Sequence, residues 1–420
     1  METTSNSAIK TLFWVSGVIL LILGLCGWVD RLTAGHLHAN YGQVVPWGLW
    51  VAGYIYCIGL SAGAFLISSL VYVFGVKRFE AIGRLSVFTA LVTLIMALLF
   101  IWPDIGHMWR ASNVMLFPNF KSPMAWMIWL YSAYFVLLLF EMYFLLRHDL
   151  VKGAREPGLR GSIYSFFSLG SNDLSETAWA LDRKRVKLLG TIGVPLAIMF
   201  HGGVGTLFGV VMARPLWNTG LFPLMFLLGA LLSGGGLLAI VAAIFQEGMS
   251  KYRDTMVSLG KLVLGMLAIY ALFEIAEFMV ALRSGIPGHV KPFELIFSGP
   301  YWQVFWFWQV GLGMVAPALL LFAFRDEPGM VAFAGLLVAA GFAGTRLNIV
   351  IPGQAAELLP GLDSALYSLR MNSMYAPSAT EWLLAAGVIG LGLVLFGIGE
   401  MYLPKYKPTA ETAEPALRGV

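Results

Sequence analysis

The chain has 420 residues, of which 59% are hydrophobic and only 12% are charged, and its mean hydropathy is +0.79. Soluble domains are about half apolar, so this composition excludes an ordinary water-soluble fold and indicates an integral membrane protein. The formal charge of +4 gives no reason to expect a nucleic-acid partner, and the positions of the basic residues carry more information than their sum.

Apolar stretches of roughly 20 residues recur along the whole chain, and each can cross a hydrocarbon core of about 30 Å as a helix. Lipid cannot satisfy backbone polar groups, so helices are the expected spanning elements. The sequence therefore predicts an all-α polytopic membrane protein. Its ten spans, numbered here from 1 to 10, are 11–29, 46–74, 85–103, 124–146, 188–213, 222–246, 257–281, 301–323, 330–351 and 379–402.

The basic residues predict the orientation of these spans. If the N-terminus lies inside, 19 of the 27 Lys and Arg residues fall on the inner side, and eight of them lie in the loop 147–187. Loops rich in Lys and Arg stay in the cytoplasm, so both termini are predicted to lie inside. The loops 30–45, 104–123, 282–300 and 352–378 then face outward. METTSNSAIK is followed by no small-residue cleavage site, so a cleaved signal peptide is not expected.

An internal repeat predicts how the spans are grouped. YIYCIGLSAGAFLISSLVYVFG (54–75) resembles MFLLGALLSGGGLLAIVAAIFQ (225–246), and each segment is followed by a basic loop and by a span with an acid near its outer end. Two parallel four-helix units are therefore expected, made of spans 2–5 and 6–9, with spans 1 and 10 as additions. The corresponding regions are 1–45, 46–213 with the functional site, 214–351, and 352–420 with the last span and an inner tail.

Few ionisable side chains fall within the spans. Each costs about 2.5–3.5 kcal/mol on insertion scales and is a candidate functional group. Structural alternatives exist for several: Arg346 forms an ion pair with Glu274 or Glu277, Glu381 is an acid at a helix N-terminus, and Glu141 pairs with Arg147. The candidates are Asp104, Glu141, His201, Glu274, Glu277, Arg346 and Glu381.

The histidines and cysteines argue against a resident metal cofactor. Two cysteines, Cys26 and Cys57, cannot hold an iron–sulfur cluster with four ligands. Of the six histidines only His201, and with it His107, lies where a haem ligand is conceivable, so no second haem could carry electrons across the membrane. His201 is flanked by glycines at 202, 203 and 205; it is either a proton-active group or a buried histidine bonded to a neighbouring helix.

The segment IWPDIGHMWR (101–110) places Asp104, His107 and Arg110 together at the outer end of span 3. Such a group is either an ordinary membrane-interface cap or the polar rim of a site. A carboxylate and a histidine whose pKa lies near neutrality suit proton transfer to a ligand in an otherwise apolar pocket.

Several segments carry a resemblance to a known family. VPWGLWVAGYIYCIGLSAGAFL, PDIGHMW, RPLWNTGLFPLMFLLGALLSG and TRLN…PSATEWLL, in this order, resemble the NrfD/PsrC (polysulfide reductase) family over residues 11–403. Ten spans place the chain nearer the subgroup that contains the membrane subunits of periplasmic nickel–iron hydrogenase, DsrP and menaquinone reductase. The matching polar positions are Asp104, His201, Glu277, Arg346 and Glu381. Where the hydrogenase-type pattern has an arginine, this chain has His107.

The resemblance implies a quinone-interacting subunit without its own metal in the inner membrane of a bacterium. It implies menaquinone or another quinone as substrate and a periplasmic iron–sulfur partner of the four-cluster ferredoxin type. A further catalytic subunit or a multihaem cytochrome c would complete the complex.

These observations assign roles to the candidate residues. Asp104, His201 and His107 are predicted to bind the quinone, and Arg110 to contribute to partner docking. A proton path is predicted through Glu274, Glu277, Arg346, Glu381 and Glu141. Two other functions remain open: a secondary transporter, which parallel repeats and intramembrane acids also fit, and an anchor without a redox role.

Overall fold

The computed structural model describes residues 2–245, 252–357, 359, 361, 370–371 and 373–403. Within these residues the chain is helical and has no strand. Ten helices are long and apolar enough to cross a membrane, so the described part confirms a multi-pass helical protein with the predicted ten spans. They are Ile9–Ala34, Leu49–Tyr72, Lys77–Asp104, Pro123–Gly153, Glu176–Gly209, Phe222–Phe245, Arg253–Arg283, Val304–Ala323, Pro328–Ala355 and Ala379–Gly399.

We use outer end for the end of the bundle that holds Asp104 and inner end for the opposite one, following the predicted orientation. That prediction used Lys251 and the tail residues Lys405, Lys407 and Arg418, which lie outside the described residues.

Several helices extend past their apolar segments. The helix of span 5 begins at Glu176, twelve residues before the predicted boundary, and the Ser175 hydroxyl caps it by accepting from the Ala178 amide at 3.2 Å. The four basic residues between positions 183 and 187 therefore lie on the helix. Hydropathy detects only the part that lipid covers, whereas a cap and a good helical sequence continue the helix into the aqueous phase. Shorter helices, Leu159–Phe167 and Pro287–Phe297, lie in the inner and outer loops.

Span 8 departs from the expected geometry. Its first part, Val304–Val315, is a π-helix, and only Ala316–Ala323 is an α-helix. A π-helix bonds each amide to the carbonyl five residues earlier, so its turns are wider than those of an α-helix. Most π-helices are single-turn bulges at functional sites, and no apolar periodicity reveals them.

Spans 2 and 6 cross at the centre of the bundle, at glycines of the two repeated segments. A Cβ on Gly63 would lie 2.0 Å from the Ala230 carbonyl oxygen, and one on Gly234 would lie 2.7 Å from the Gly63 backbone. Only glycine allows the two backbones this close. Spans 1 and 10 pair in the same manner, because a Cβ on Gly24 would lie 2.0 Å from Gly387 Cα.

Candidate functional site

The outer end of span 3 is held by Arg31, in the last turn of span 1, and by His36, just after that span. Arg31 donates from Nε to the Pro103 carbonyl at 2.7 Å and from Nη2 to the Ile105 carbonyl at 2.9 Å. His36 donates from Nε2 to the same Pro103 carbonyl at 3.2 Å. The last carbonyls of a helix have no intrahelical donor, so these bonds fix the point from which Asp104 projects.

Glu381 forms the opposite side of the same cluster. It is fully buried and belongs to a capping box with Ser378, in which each residue bonds the other's backbone amide. Its carboxylate also accepts from the Asn40 amide at 3.0 Å and from the Tyr375 hydroxyl. Tyr375 Oη in turn accepts from the Leu49 amide at 2.8 Å. The N-terminal acid expected at span 10 is therefore present and ties span 2 to span 10.

Asp104 and Tyr41 lie side by side between these two anchors. Asp104 Oδ1 and Tyr41 Oη are both buried; the two side chains interact with each other, but neither atom has a hydrogen bond of ordinary geometry to a described residue. Burial raises the pKa of Tyr41, and the neighbouring Asp104 carboxylate raises it further. Burial and the Arg31 charge lower the pKa of His36. At neutral pH the phenol and the imidazole are therefore both uncharged.

Aromatic rings enclose this outer cluster, which we define as Arg31, His36, Tyr41, Asp104, Tyr375 and Glu381. The Tyr41 ring lies 5.5 Å from that of Trp50 and 5.6 Å from that of His36. Gly48 makes room for Tyr375, since a Cβ there would lie 2.1 Å from its hydroxyl oxygen. The cluster therefore places one carboxylate and one phenol, both with free hydrogen-bonding capacity, in a largely apolar wall.

A second pair of charged groups lies deeper, at the centre of the bundle. His201 donates from Nε2 to the Phe226 carbonyl at 2.7 Å, and Arg346 Nη2 approaches the same oxygen at 3.4 Å. The Arg346 guanidinium also lies over the Phe226 ring, 4.5 Å from its centroid. His201 Nδ1 and Arg346 Nη1 are buried without a partner among the described residues. We call these two residues the central pair.

A third group occupies the outer half of spans 7, 8 and 9. Asn348 donates to Gln309 Oε1 at 2.7 Å, and the Gln309 amide donates to Glu274. Thr219 donates to Glu277 Oε2 at 3.2 Å. No described contact joins either acid to Arg346, so the expected ion pair is wrong for the described structure. Arg346 instead contacts the ring and the carbonyl of Phe226.

Glu141 is isolated in the first unit. It is fully buried, and neither of its carboxylate oxygens has a hydrogen-bond partner among the described residues. The expected pairing with Arg147 is wrong, because Arg147 binds Asp182 at 2.5 Å. Arg147 lies nearly two turns further along the helix and is drawn to the other side by Ser171 and Asp182.

The structure therefore regroups the predicted residues. Asp104 joins Glu381, which had been expected with Glu274 and Glu277, and His201 joins Arg346. His107 and Arg110 are both exposed at the outer surface. His107 therefore lies away from the buried Asp104 Oδ1, and a partner protein could contact both exposed residues. In the described part of the chain no three His, Cys, Asp or Glu side chains gather as a metal site.

Sequence reasoning missed four residues of the outer cluster: Arg31, His36, Tyr41 and Tyr375. All of them lie at or beyond span ends, where hydropathy gives no depth and loop conformation decides the neighbours. Tyrosine in an outer loop resembles an ordinary interfacial aromatic. One signal was available in the sequence. Arg31 and His36 follow closely on the apolar part of span 1, where Asp30 is the only other charged residue.

Comparison with known proteins identifies the family. The family model described as Polysulphide reductase, NrfD matches residues 37–356. The chain belongs to this family. The match covers spans 2–9 and includes the central pair together with Tyr41 and Asp104 of the outer cluster.

Individual relatives extend the likeness over almost the full length. The chain is 35% identical to a selenate reductase subunit from Mesobacillus selenatarsenatis, with 96% of each chain covered. It is 29% identical to the Hdr-like menaquinol oxidoreductase integral membrane subunit of Archaeoglobus fulgidus, with 84% of each covered. The menaquinone reductase integral membrane subunit of Nitratidesulfovibrio vulgaris is 23% identical over 96% of this chain and 93% of its own length. These relatives are subunits of reductase or oxidoreductase complexes, as their names state.

Proposed function

We propose that this chain is the quinone-reactive membrane subunit of a respiratory oxidoreductase in a bacterial inner membrane. It exchanges electrons between the menaquinone pool, or another quinone, and an iron–sulfur subunit on the outer side. Two relatives are named for menaquinol or menaquinone chemistry, which supports this substrate class. The selenate reductase relative supports assembly with a separate catalytic subunit.

The observation that carries the proposal is the unsatisfied pair in the outer cluster. A buried polar atom without a partner costs about 1–3 kcal/mol, and Asp104 and Tyr41 have only each other as a poorly aligned partner, which favours a ligand that completes their hydrogen bonds. Asp104 Oδ1 accepts a hydrogen bond and Tyr41 Oη donates one, which matches the hydroxyl and carbonyl oxygens of a quinol or quinone headgroup. The apolar rings around them suit the rest of that headgroup.

Quinone reduction takes up two protons with two electrons, and quinol oxidation releases them. In this proposal Asp104 exchanges the proton at the headgroup, and Tyr41 orients the headgroup and donates to its oxygen. Arg31, bonded to the carbonyls on both sides of Asp104, supplies a positive charge next to the carboxylate that forms between proton transfers. Glu381, bonded to Tyr375, offers the next group towards the outer surface.

In this proposal His201 acts at a distance from the quinone headgroup and does not contact it. Tyr375 and Tyr41 place the outer cluster beside residues 49–50 of span 2, and His201 lies near Gly59. About nine residues of helix, or about 14 Å, therefore separate the two levels. The free Nδ1 of His201 suits a proton relay from below the headgroup. The acids Glu141, Glu274 and Glu277 remain candidates for proton movement, but they do not form one continuous chain with the central pair among the described contacts.

The electron partner is expected at the outer surface above the cluster. Trp109 is 80% exposed there, and Arg110 and His107 are exposed beside it. An exposed aromatic and an arginine are typical anchors of a protein interface. We propose that an iron–sulfur subunit of the four-cluster ferredoxin type docks here, with a further catalytic subunit or multihaem cytochrome c beyond it.

The test is electron exchange in the intact complex. The complex purified in mild detergent is mixed with menadiol, and reduction of the partner's clusters is followed by electron paramagnetic resonance. We expect rapid reduction that is lost in a complex isolated without this chain. If the clusters are reduced at equal rates with and without the chain, the chain is an anchor without a redox role. Uptake of a solute by liposomes that contain the chain alone would indicate a transporter.

A further inference from the structure

A pocket at the outer end of the second half is separate from the outer cluster. It lies between spans 6, 7, 8 and 9 and beneath the outer helix Pro287–Phe297. Its enclosed cavity is about 50 Å³ and its mouth is open. Whole small-molecule sites occupy about 300–1,000 Å³, so the cavity admits one edge of a ligand ring while the rest of the ligand lies in the mouth.

The pocket wall is aromatic, and the hydrogen bonds of its polar groups lead towards Glu274. Phe222, Phe226, Phe278 and Phe293 line it. Asn348 donates to Gln309, and Gln309 donates to Glu274 Oε1, so the amide chain presents donors towards a single carboxylate. All three of these polar residues are buried. Glu274 Oε2 takes no described hydrogen bond, which leaves an acceptor for a ligand hydroxyl.

The π-helix of span 8 provides an independent indication. Gln309 lies in the middle of Val304–Val315, and the wider turns of this segment set its side chain between Glu274 and Asn348. π-helical segments are rare and are frequently found at functional sites. Here the segment positions the Gln309 amide at the pocket.

The lining also limits the chemistry of the occupant. None of the described lining residues is Lys or Arg, so the pocket offers no counter-charge to a phosphate headgroup. The rings favour a planar apolar molecule, and Glu274 requires a hydrogen-bond donor. An uncharged quinol headgroup has both properties.

We infer that this pocket is a second quinone site, separate from the outer cluster, that binds a quinol headgroup through Glu274 and the phenylalanine rings. The inference rests on the proposed function for its substrate class. Phe226 connects the two halves, because its ring lines the pocket while its carbonyl accepts from His201 and lies 3.4 Å from Arg346. A ligand that moves Phe226 therefore changes the hydrogen bonds of the central pair.

The experiment maps both sites with one probe. The purified complex is irradiated with a naphthoquinone that carries a diazirine on its side chain, and labelled peptides are identified by mass spectrometry. We expect two labelled regions, one around 41–50 and one at Phe222–Phe226 or Phe293. Ile349 lines the pocket, so Ile349→Trp fills it and should remove only the second label. The matched control is Ile275→Trp. The Ile275 side chain on span 7 is 59% exposed, so this variant should keep both labels.

A milder variant separates binding from folding. Glu274→Gln keeps the side-chain volume and removes the carboxylate, so labelling of the pocket should need at least tenfold more probe. Labelling confined to 41–50 in the wild type overturns the second site and leaves the proposed function intact. Labelling of the pocket alone supports the second site and contradicts the outer cluster. Equal protection by tetraphenylphosphonium and by menadione overturns the inference, because it identifies a site for lipophilic cations.

Discussion

Buried charged groups in this protein divide into those with a partner and those without one. Arg147 and Asp182 form an ion pair at 2.5 Å, and their side chains are 6% and 4% exposed. Glu141, on the same helix as Arg147, has no hydrogen-bond partner among the described residues. Removing one partner of a buried pair leaves an uncompensated charge, whereas removing an unpaired group leaves none. The two residues should therefore respond in opposite ways to substitution.

Arg147→Met should destabilise the protein strongly. It leaves Asp182 buried with only Arg185 nearby at 3.4 Å, and breaking a buried pair costs about 3–5 kcal/mol. The measurement is the thermal unfolding midpoint in detergent. Arg84→Met is the matched control, because Arg84 and Asp149 are also 2.5 Å apart but are 26% and 30% exposed. Exposed pairs contribute about 0–1 kcal/mol, so equal losses in both variants would contradict this distinction.

Glu141→Met should raise the unfolding midpoint, because it removes an unsatisfied polar group that costs about 1–3 kcal/mol. If Glu141 also moves protons, the same variant should slow proton uptake in liposomes that contain the complex. Such an exchange of stability for activity is common at functional sites. A fall in the unfolding midpoint would show that Glu141 has a stabilising partner.

The sequence predicted Asp104, His201 and Arg346 as functional because a charge inside an apolar run is visible without a structure. It could not predict their partners. Arg346 was expected to pair with an acid, but its neighbours are His201, a carbonyl and an aromatic ring. Nothing in the local pattern shows which face of a glycine-rich helix will meet another helix.

At the scale of helices, close backbone contacts organise the bundle. The glycines at which spans 2 and 6 cross lie in the repeated segments 54–75 and 225–246, but the repeat did not predict that these two helices meet. The π-helix was not predicted either, because it depends on the hydrogen-bond pattern of span 8 and not on its apolar composition. The boundaries of span 5 also differed, since a polar continuation of a helix carries no hydropathy signal.

Gly63→Ala should disrupt the crossing of spans 2 and 6. Its Cβ would lie 2.0 Å from a backbone oxygen, and a backbone cannot give way as a side chain does. We expect a loss of at least about 1–3 kcal/mol, as for other overpacked sites, and poor assembly in size-exclusion chromatography. Gly265→Ala, where nothing lies within 4 Å, is the control and should be neutral or slightly stabilising. A well-assembled Gly63→Ala protein of wild-type stability would contradict the described crossing.

At the scale of the whole molecule, the orientation decides which polar groups face the partner. The outer cluster and the second pocket lie at the same end of the bundle, and the ion pair of Arg147 lies at the other. The charge distribution of the sequence predicts that the first end faces outside.

Cysteine labelling tests this orientation. In a background without Cys26 and Cys57, Ser112→Cys should react with a membrane-impermeant maleimide in intact cells, whereas Asn172→Cys should react only after lysis. Both positions are exposed. Asn172 is preferable to Gly170, whose φ of +76° strains any other residue. Labelling of position 172 from outside would invert the assignment and place the outer cluster in the cytoplasm.

The proposed function depends above all on Asp104 exchanging the proton of a quinone bound at the outer cluster. The decisive experiment measures the rate of menadiol oxidation by the complex carrying Asp104→Asn, with assembly checked by co-purification of the iron–sulfur partner. Loss of a general acid or base costs about 100-fold to 10,000-fold in rate, so we predict at least a 100-fold decrease in an assembled complex. Asp149→Asn, at the inner end, should keep the wild-type rate. An assembled Asp104→Asn complex with full menadiol oxidation would contradict the proposed role of Asp104.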